Sequence, residues 1–204
     1  MTRVGGIVLC GGQSQRMGRP KAWLPFAGEV MLPRVVRLLG EVVAPVVVVA
    51  APGQDVPPLP AGVEVVRDEE QGRGPLQGLA AGLAALRGLA EAAYLSSCDV
   101  PFLEPAFVRR VIELLGEAAV AVPRVGDYFH PLAAVYRLSV RDEVRKLLAA
   151  DRLRPVFLFD AVPTRAIEPH ELADTDPDFR SLRNLNTPAD YEAALRELAA
   201  QRPG

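Results

Sequence analysis

Basic and acidic side chains follow the apolar segments of this chain at the points where those segments end. Lys21 lies in a glycine-containing loop after the first segment, Asp68 follows the third, and Asp99 follows the fourth. Because ligands of open parallel sheets sit at the carboxyl ends of the strands, we expect these side chains to converge there. A lysine and carboxylates at such an edge suit a chain of phosphates together with a divalent cation.

The loop after the first segment contains Gly11, Gly12, Arg16 and Lys21. Glycines let backbone amides approach an anion closely, and the two cations supply the charge that a triphosphate needs. The spacing matches neither a dinucleotide-binding G-x-G-x-x-G nor a P-loop. An ordinary strand-to-helix turn with solvated basic residues is the alternative. The only other lysine is Lys146, although the chain has 23 Lys+Arg, and this favours a specific role for the loop lysine.

The aspartates are candidate cation ligands. Asp99 is predicted to bind Mg²⁺, which prefers one or two carboxylates together with substrate phosphate oxygens. A turn or N-cap aspartate is the alternative interpretation. Asp68 begins the run Asp68-Glu69-Glu70, which a solvated acidic turn explains equally well.

Amide, imidazole and thiol side chains complete the set of candidates. Asn184 and Asn186 are the only asparagines, and alternate positions of an extended segment share one face. They are predicted to bind metal-bound water or a phosphate oxygen, although an Asx-turn would explain one of them. His130 is a candidate substrate contact. Cys10 and Cys98 each end a predicted central strand, and we interpret them as small buried residues rather than catalytic thiols.

Composition excludes several functional classes. A net charge of −2 without a basic stripe argues against nucleic acid as a partner. No apolar stretch approaches the roughly 20 residues needed to span a bilayer, and no signal peptide is evident. Two cysteines alone make neither a disulfide framework nor a zinc site. We therefore expect a cytoplasmic protein with no membrane contact.

Hydrophobic periodicity predicts alternating strands and helices, with connections long enough for parallel pairing. The 204 residues fit one α/β domain. The predicted strands are residues 7–10, 42–51, 63–67, 92–97, 118–123, 130–137, 157–159 and 164–167. The predicted helices are residues 31–39, 75–89, 104–115, 140–150 and 188–199.

Taken in order, these motifs resemble the molybdenum cofactor guanylyltransferases, a family with the nucleotide-diphospho-sugar transferase-like fold. Residues 9–21, LCGGQSQRMGRPK, resemble the family pattern L-A-G-G-x-S-x-R-M-G-x-D-K. Residues 74–78, 98–102 and 184–188 resemble its G-P-L-x-G, C-D-x-P-F and N-x-N-T-P patterns.

The chain departs from the family pattern at three places. Cys10 replaces an alanine, and Pro20 replaces the aspartate before the loop lysine. Ala50 and Ala51 stand where the family has an asparagine after the second strand. One nucleotide contact is therefore missing or supplied by another residue.

The resemblance implies a three-layer α/β/α Rossmann-like fold with a mainly parallel central sheet. It implies a single domain, 1–204, with a nucleotide-binding half over about 1–123 and an acceptor-binding half over about 124–204. The implied reaction transfers GMP from GTP to the phosphate of molybdopterin, with Mg²⁺ as cofactor and transient contacts to other molybdenum cofactor proteins. The ionised acceptor phosphate needs no general base. A cytidylyltransferase or sugar-phosphate nucleotidyltransferase of the same fold, or a non-catalytic nucleotide-binding module, are the alternatives.

The resemblance also assigns roles to individual residues. The expected catalytic residues are Lys21, Arg16 and Asp99, of which Asp99 is the metal ligand. The expected nucleotide contacts, with backbone amides of residues 9–12 among them, are Leu9, Cys10, Gly11, Gly12, Lys21, Asp68, Gly74, Pro75, Leu76 and Asp99. The expected acceptor contacts are His130, Asn184 and Asn186.

Overall fold

A computed structural model describes residues 2–11, 19–68 and 72–200 of the chain. Short runs of valine, alanine and leucine form its strands, and longer amphipathic segments form its helices. The strands are β1 Val4–Leu9, β2 Pro25–Phe26, β3 Glu29–Val30, β4 Val46–Ala50, β5 Glu64–Arg67, β6 Ala92–Ser97, β7 Val120–Val125, β8 Tyr128–Phe129, β9 Ala133–Arg137 and β10 Thr164–Ile167. The helices are α1 Met31–Gly40, α2 Pro75–Ala85, α3 Pro105–Glu113, α4 Arg141–Ala149, α5 Val156–Ala161 and α6 Pro188–Ala200.

The main sheet has the strand order β10-β7-β9-β6-β1-β4-β5, and β8 pairs with β7 at one end of that strand. The pairs of β1 with β4 and β6, of β4 with β5, and of β7 with β10 are parallel. Strands β8 and β9 run in the opposite direction. The prediction of a mainly parallel α/β sheet is confirmed.

Both faces of the sheet are covered, as the unbroken apolar runs of its central strands require. Every residue of β4 and β6 is buried. Neighbouring residues of β1 enter opposite core clusters: Val8 joins the side of α1 and α3, and Ile7 joins the side of α2, α4 and α5. A smaller cluster joins α6 to Phe26 and Phe102.

Helix α2 packs directly on β1 because two of its glycines lack a side chain. A Cβ atom at Gly82 would lie 2.6 Å from Cγ2 of Ile7, and one at Gly78 would lie 2.9 Å from Cδ2 of Leu9. This close approach fixes the first turn of α2 beside the carboxyl end of β1. Within the described ranges, no helix is long and apolar enough to cross a membrane.

Several predicted boundaries are wrong. Residues 157–159 were expected as a strand but lie in α5, where Pro155 precedes a single helical turn that buries Leu158 and Phe159. Helix α2 ends at Ala85 rather than residue 89. Strand β9 begins only at Ala133, because the amide of Ala133 donates to the carbonyl of His130 in a turn.

Candidate active site

A cavity of about 590 Å³ lies at the sheet edge where β1, β4, β5 and β6 end. Most of the predicted site residues of the described ranges line it. Its lining comprises Leu9, Cys10, Gly11, Lys21, Val49, Ala50, Ala51, Asp68, Gly72, Gly74, Pro75, Gly78, Ser97, Cys98, Asp99, Leu132, Asn184 and Asn186. The convergence expected at this edge is therefore present.

The carboxylate of Asp99 is the centre of a hydrogen-bonded cluster. It is 7% exposed, and both of its oxygens accept hydrogen bonds. The Ser97 hydroxyl donates to Oδ1 at 2.6 Å, and Nδ2 of Asn184 donates to the same oxygen at 2.8 Å. Nζ of Lys21 lies 2.6 Å from Oδ2. Three chain segments thereby fix one carboxylate at the base of the cavity.

The second asparagine holds the lysine of this cluster. Oδ1 of Asn186 accepts from Nζ of Lys21 at 2.9 Å. Between the two asparagines, Leu185 is fully buried, and its amide donates to the Asp99 carbonyl at 2.9 Å. Because Leu185 is anchored in the core, the side-chain amides of Asn184 and Asn186 both reach the Lys21–Asp99 pair.

The segment that carries the asparagines ends in a well-capped helix. The Thr187 hydroxyl accepts from the Asp190 amide, and the Asp190 carboxylate accepts from the Thr187 amide in return. Reciprocal bonds of this kind are a strong helix start. Thr187 therefore caps α6, whose first residue is Pro188.

Ser97 is a site residue that the sequence analysis missed. Besides its bond to Asp99, its hydroxyl accepts from Nδ2 of Asn184 at 3.0 Å. A serine at the end of a buried strand has no distinctive pattern by itself. The one signal that could have indicated it is its position two residues before the predicted metal ligand, because alternate residues of a strand share one face.

Two of the backbone amides expected to contact the nucleotide make hydrogen bonds within the protein. The amides of Cys10 and Gly11 both donate to the carbonyl of Val49, at 2.8 and 3.3 Å. They extend the pairing of β1 with β4, and their contact with a nucleotide stays a prediction. Gly12 and Arg16 lie outside the described residues.

Two further predicted contacts lie away from the main cavity. The side chain of Leu76 is fully buried in the core under α2 and does not line the cavity. The nucleotide contact expected of Leu76 stays a prediction. His130 lines an adjoining cavity of about 240 Å³, which shares Leu132 and Asn184 with the main one. Burial lowers the pKa of His130, which favours the neutral imidazole.

The two thiols lie together at the cavity, as their positions at the ends of β1 and β6 predict. The Cys98 thiol donates a hydrogen bond to Cys10, and this bond lowers the pKa of Cys10. Nε2 of Gln54 lies 3.3 Å from the Cys10 sulfur and also donates to the Cys10 carbonyl at 3.0 Å. The amide of Ala51, which lines the cavity, donates to Oε1 of Gln54 at 3.0 Å, so Gln54 links Ala51 to Cys10.

The donor set indicates how a cation could be held. Among the described residues, no group of three or more His, Cys, Asp or Glu side chains could enclose a metal ion. The cavity does contain the carboxylates of Asp68 and Asp99. A hard cation here would complete its coordination with oxygens of a substrate or water, as Mg²⁺ commonly does.

Comparison with known proteins identifies the family of this chain. Residues 6–164 match the family described as the MobA-like NTP transferase domain. A probable molybdenum cofactor guanylyltransferase of Mycobacterium tuberculosis (strain ATCC 25618 / H37Rv) is 38% identical over 198 residues, which are 94% of this chain and 92% of that protein.

Solved structures show the same fold. Molybdopterin-guanine dinucleotide biosynthesis protein A from Archaeoglobus fulgidus superposes with a TM-score of 0.78 at 22% identity, covering 97% of this chain and 100% of the other. A Mycobacterium tuberculosis H37Rv protein crystallised in complex with manganese has a TM-score of 0.66 at 19% identity, covering 96% and 99%. The chain belongs to the MobA-like NTP transferase family, among relatives named molybdenum cofactor guanylyltransferases, and is a nucleotidyltransferase.

Proposed function

We propose that this enzyme transfers GMP from GTP to the terminal phosphate of molybdopterin, free or carrying molybdenum. The products are the guanine dinucleotide form of the cofactor and pyrophosphate. The names of the curated relatives support the substrates. The observation that carries the proposal is the Lys21–Asp99 pair, held by Ser97, Asn184 and Asn186 inside a cavity large enough for a nucleotide.

The chemistry requires positioning and charge rather than proton transfer. An oxygen of the acceptor phosphate, already ionised, attacks the α-phosphorus of GTP, and the bond to the β-phosphate oxygen breaks. Negative charge moves onto the departing pyrophosphate. We assign the neutralisation of that charge to Lys21 and Arg16. Charged groups held close to the reacting phosphates stabilise the negative charge of the transition state.

The arrangement around Asp99 fits a divalent cation. Asp99 would provide a carboxylate oxygen and Asn186 its amide oxygen, and the substrate would supply the remaining ligands. We propose Mg²⁺, which would withdraw charge from the reacting phosphate when bound. Since Nζ of Lys21 is 2.6 Å from the same carboxylate, we expect the lysine to turn toward the phosphates in the loaded enzyme.

The nucleotide would occupy the part of the cavity formed by β1, β4, β5 and the start of α2. Ala50, Ala51, Gly74 and Gly78 present little side-chain bulk there, which leaves room for a base and ribose. Asp68, at the end of β5, is a candidate contact to them. We assign the acceptor to the opposite side of the cavity, which the residues after position 123 form.

Calorimetric titration with GTP, CTP, ATP and UTP in the presence of Mg²⁺ tests this proposal. We expect selective binding of GTP, followed by pyrophosphate release when molybdopterin is added. Selective binding of CTP would instead indicate a cytidylyltransferase. Nucleotide binding without pyrophosphate release in the presence of acceptor would indicate a binding module. Lys146→Ala is the matched control for variants of Lys21, because this second lysine lies on the exposed face of α4 beside Glu143.

A further inference from the structure

A second cavity of about 540 Å³ opens beside the active-site cavity, and the proposed nucleotide chemistry does not use it. The two cavities share Gly72, Gly74 and Pro75 as a common wall. We call the second cavity the side cleft. The residues that define it are Asp127, Tyr128, Phe129, Pro131, Arg154 and Pro155.

Aromatic residues form part of the side cleft. Tyr128 lies in the β7–β8 hairpin with 77% of its surface exposed. Phe129, next to it, packs edge to face on Phe159, with ring centroids 5.3 Å apart. An exposed tyrosine ring, in a lining that also contains prolines and a packed phenylalanine, suits a planar heteroaromatic ring.

Two exposed charged side chains line the side cleft. Asp127 and Arg154 are exposed, and neither side chain makes a hydrogen bond or an ion pair with the described residues. By contrast, Nη2 of Arg73 donates to the Leu148 carbonyl at 2.7 Å, and Arg152 lies over the Phe157 ring at 4.2 Å. The cleft therefore offers one carboxylate and one guanidinium to a ligand.

This combination matches the edge of a pterin. A 2-amino-4-oxopyrimidine presents two adjacent N–H donors, which one carboxylate can accept together, and a carbonyl oxygen that a guanidinium can bind. The ring face can stack on tyrosine. Asp127, Arg154 and Tyr128 supply these three functions at one cleft.

Shared lining residues relate the side cleft to the reacting centre. The cavity at His130 shares Asn184 with the active site and Phe129 with the side cleft. Asn184 donates to Asp99. An extended acceptor with its phosphate at the Asp99 end would therefore place its ring at the β7–β8 hairpin.

We propose that the side cleft binds the pterin ring of the acceptor, an assignment that rests on the proposed function. The ring stacks on Tyr128, its aminopyrimidine edge meets Asp127, and Arg154 binds its carbonyl oxygen. This places the pterin beyond His130, at residues that the sequence motifs do not include.

Fluorescence titration of 6-hydroxymethylpterin, with the enzyme saturated with GTP, tests the assignment directly. We expect Tyr128→Ala and Asp127→Asn each to weaken binding about tenfold, as loss of a stacking or charged contact commonly does. Tyr128→Phe keeps the ring and should bind as the wild type does. Arg152→Ala is the matched control for Arg154→Ala, because both arginines lie in the loop before α5.

Equal affinity in the wild type and the cleft variants would overturn the assignment, and so would absence of binding. Displacement of the pterin by GTP would also overturn it, because guanine has the same donor edge and the probe would then be occupying the nucleotide site.

Steady-state kinetics separates this assignment from the proposed function. We expect Arg154→Ala to raise the KM for molybdopterin about tenfold while the KM for GTP is unchanged. If GMP transfer occurs and the cleft variants leave the KM for molybdopterin unchanged, the cleft assignment fails and the function stands. If no GMP is transferred but the pterin probe still requires Tyr128 and Asp127, the function fails and the cleft assignment stands.

Discussion

The ammonium of Lys21 lies 2.6 Å from the carboxylate of Asp99, although 78 positions separate them along the chain. The lysine follows the loop after β1, and the aspartate follows β6, the strand that pairs with β1. Asn184 and Asn186, from the segment before α6, hold one member each. The fold thus assembles a charged pair at one point of the sheet edge, and the proposed function depends on it.

Removing either member of this pair should abolish most activity. We expect Lys21→Ala and Asp99→Ala each to lower kcat about 100- to 1000-fold, since each removes a charge that stabilises the reacting phosphates or their cation. Circular dichroism should show an intact fold. Lys146→Ala, which removes the only other lysine, should turn over like the wild type. Near-normal turnover of Asp99→Ala would remove the metal assignment.

Ser97 is expected to act by positioning Asp99. Ser97→Ala removes the 2.6 Å bond to Oδ1, and we expect about a tenfold fall in kcat, the size of one charge-assisted hydrogen bond. The Mg²⁺ concentration for half-maximal rate should rise, and Ser97→Thr should restore part of the activity. Ser96→Ala is the control, because Ser96 is buried next to it but donates to the Ser97 carbonyl. Equal effects of the two alanine variants, with no change in the metal requirement, would indicate a purely structural role.

The thiol of Cys10 should be dispensable for chemistry and shielded by substrate. We expect Cys10→Ala to keep full turnover, and iodoacetamide to label Cys10 in the free enzyme but not with GTP bound. Loss of turnover in Cys10→Ala, or full labelling under saturating GTP, would contradict this placement.

The pH dependence of that labelling tests the thiol pair. The pKa of Cys10 is lowered by the hydrogen bond from Cys98, so its thiolate forms at lower pH than that of an ordinary cysteine. Labelling should rise with pH, and Cys98→Ala should move the rise to higher pH because the donor is lost. Gln54 would still donate to the Cys10 sulfur in that variant. A rise at the same pH in both proteins would show that the thiols do not interact.

The contact between α2 and β1 should be sensitive to a single methyl group. A Cβ atom at Gly82 would lie 2.6 Å from the buried, β-branched Ile7, so we expect Gly82→Ala to lower the free energy of unfolding by about 1–3 kcal/mol in urea denaturation. Gly40→Ala, at the end of α1 with no atom within 4 Å of its added Cβ, should be neutral or slightly stabilising. Equal stability of Gly82→Ala and wild type would contradict the packing.

The sequence allows much of the site to be predicted, because rare residue types at strand ends carry it. The two lysines and two asparagines made Lys21, Asn184 and Asn186 conspicuous. Ser97 could not be predicted in this way, because buried serines are common in strands. The six apolar-rich residues of α5 were too few to distinguish helix from strand by periodicity.

The side cleft could not be predicted from the sequence at all. Its aromatic wall belongs to the two-residue strand β8, which no periodicity test can detect. Asp127 and Arg154 come from separate loops that only the tertiary fold brings to one cavity.

The most direct test of the account follows the α-phosphate itself. GTP with a radioactive α-phosphate is incubated with molybdopterin and Mg²⁺, and the pterin product and pyrophosphate are separated. We expect the label in the dinucleotide product, none in the pyrophosphate, and almost none transferred by Asp99→Ala. Label that stays in GTP although the nucleotide is bound, or that is transferred equally well by Asp99→Ala, would contradict the proposed reaction at this site.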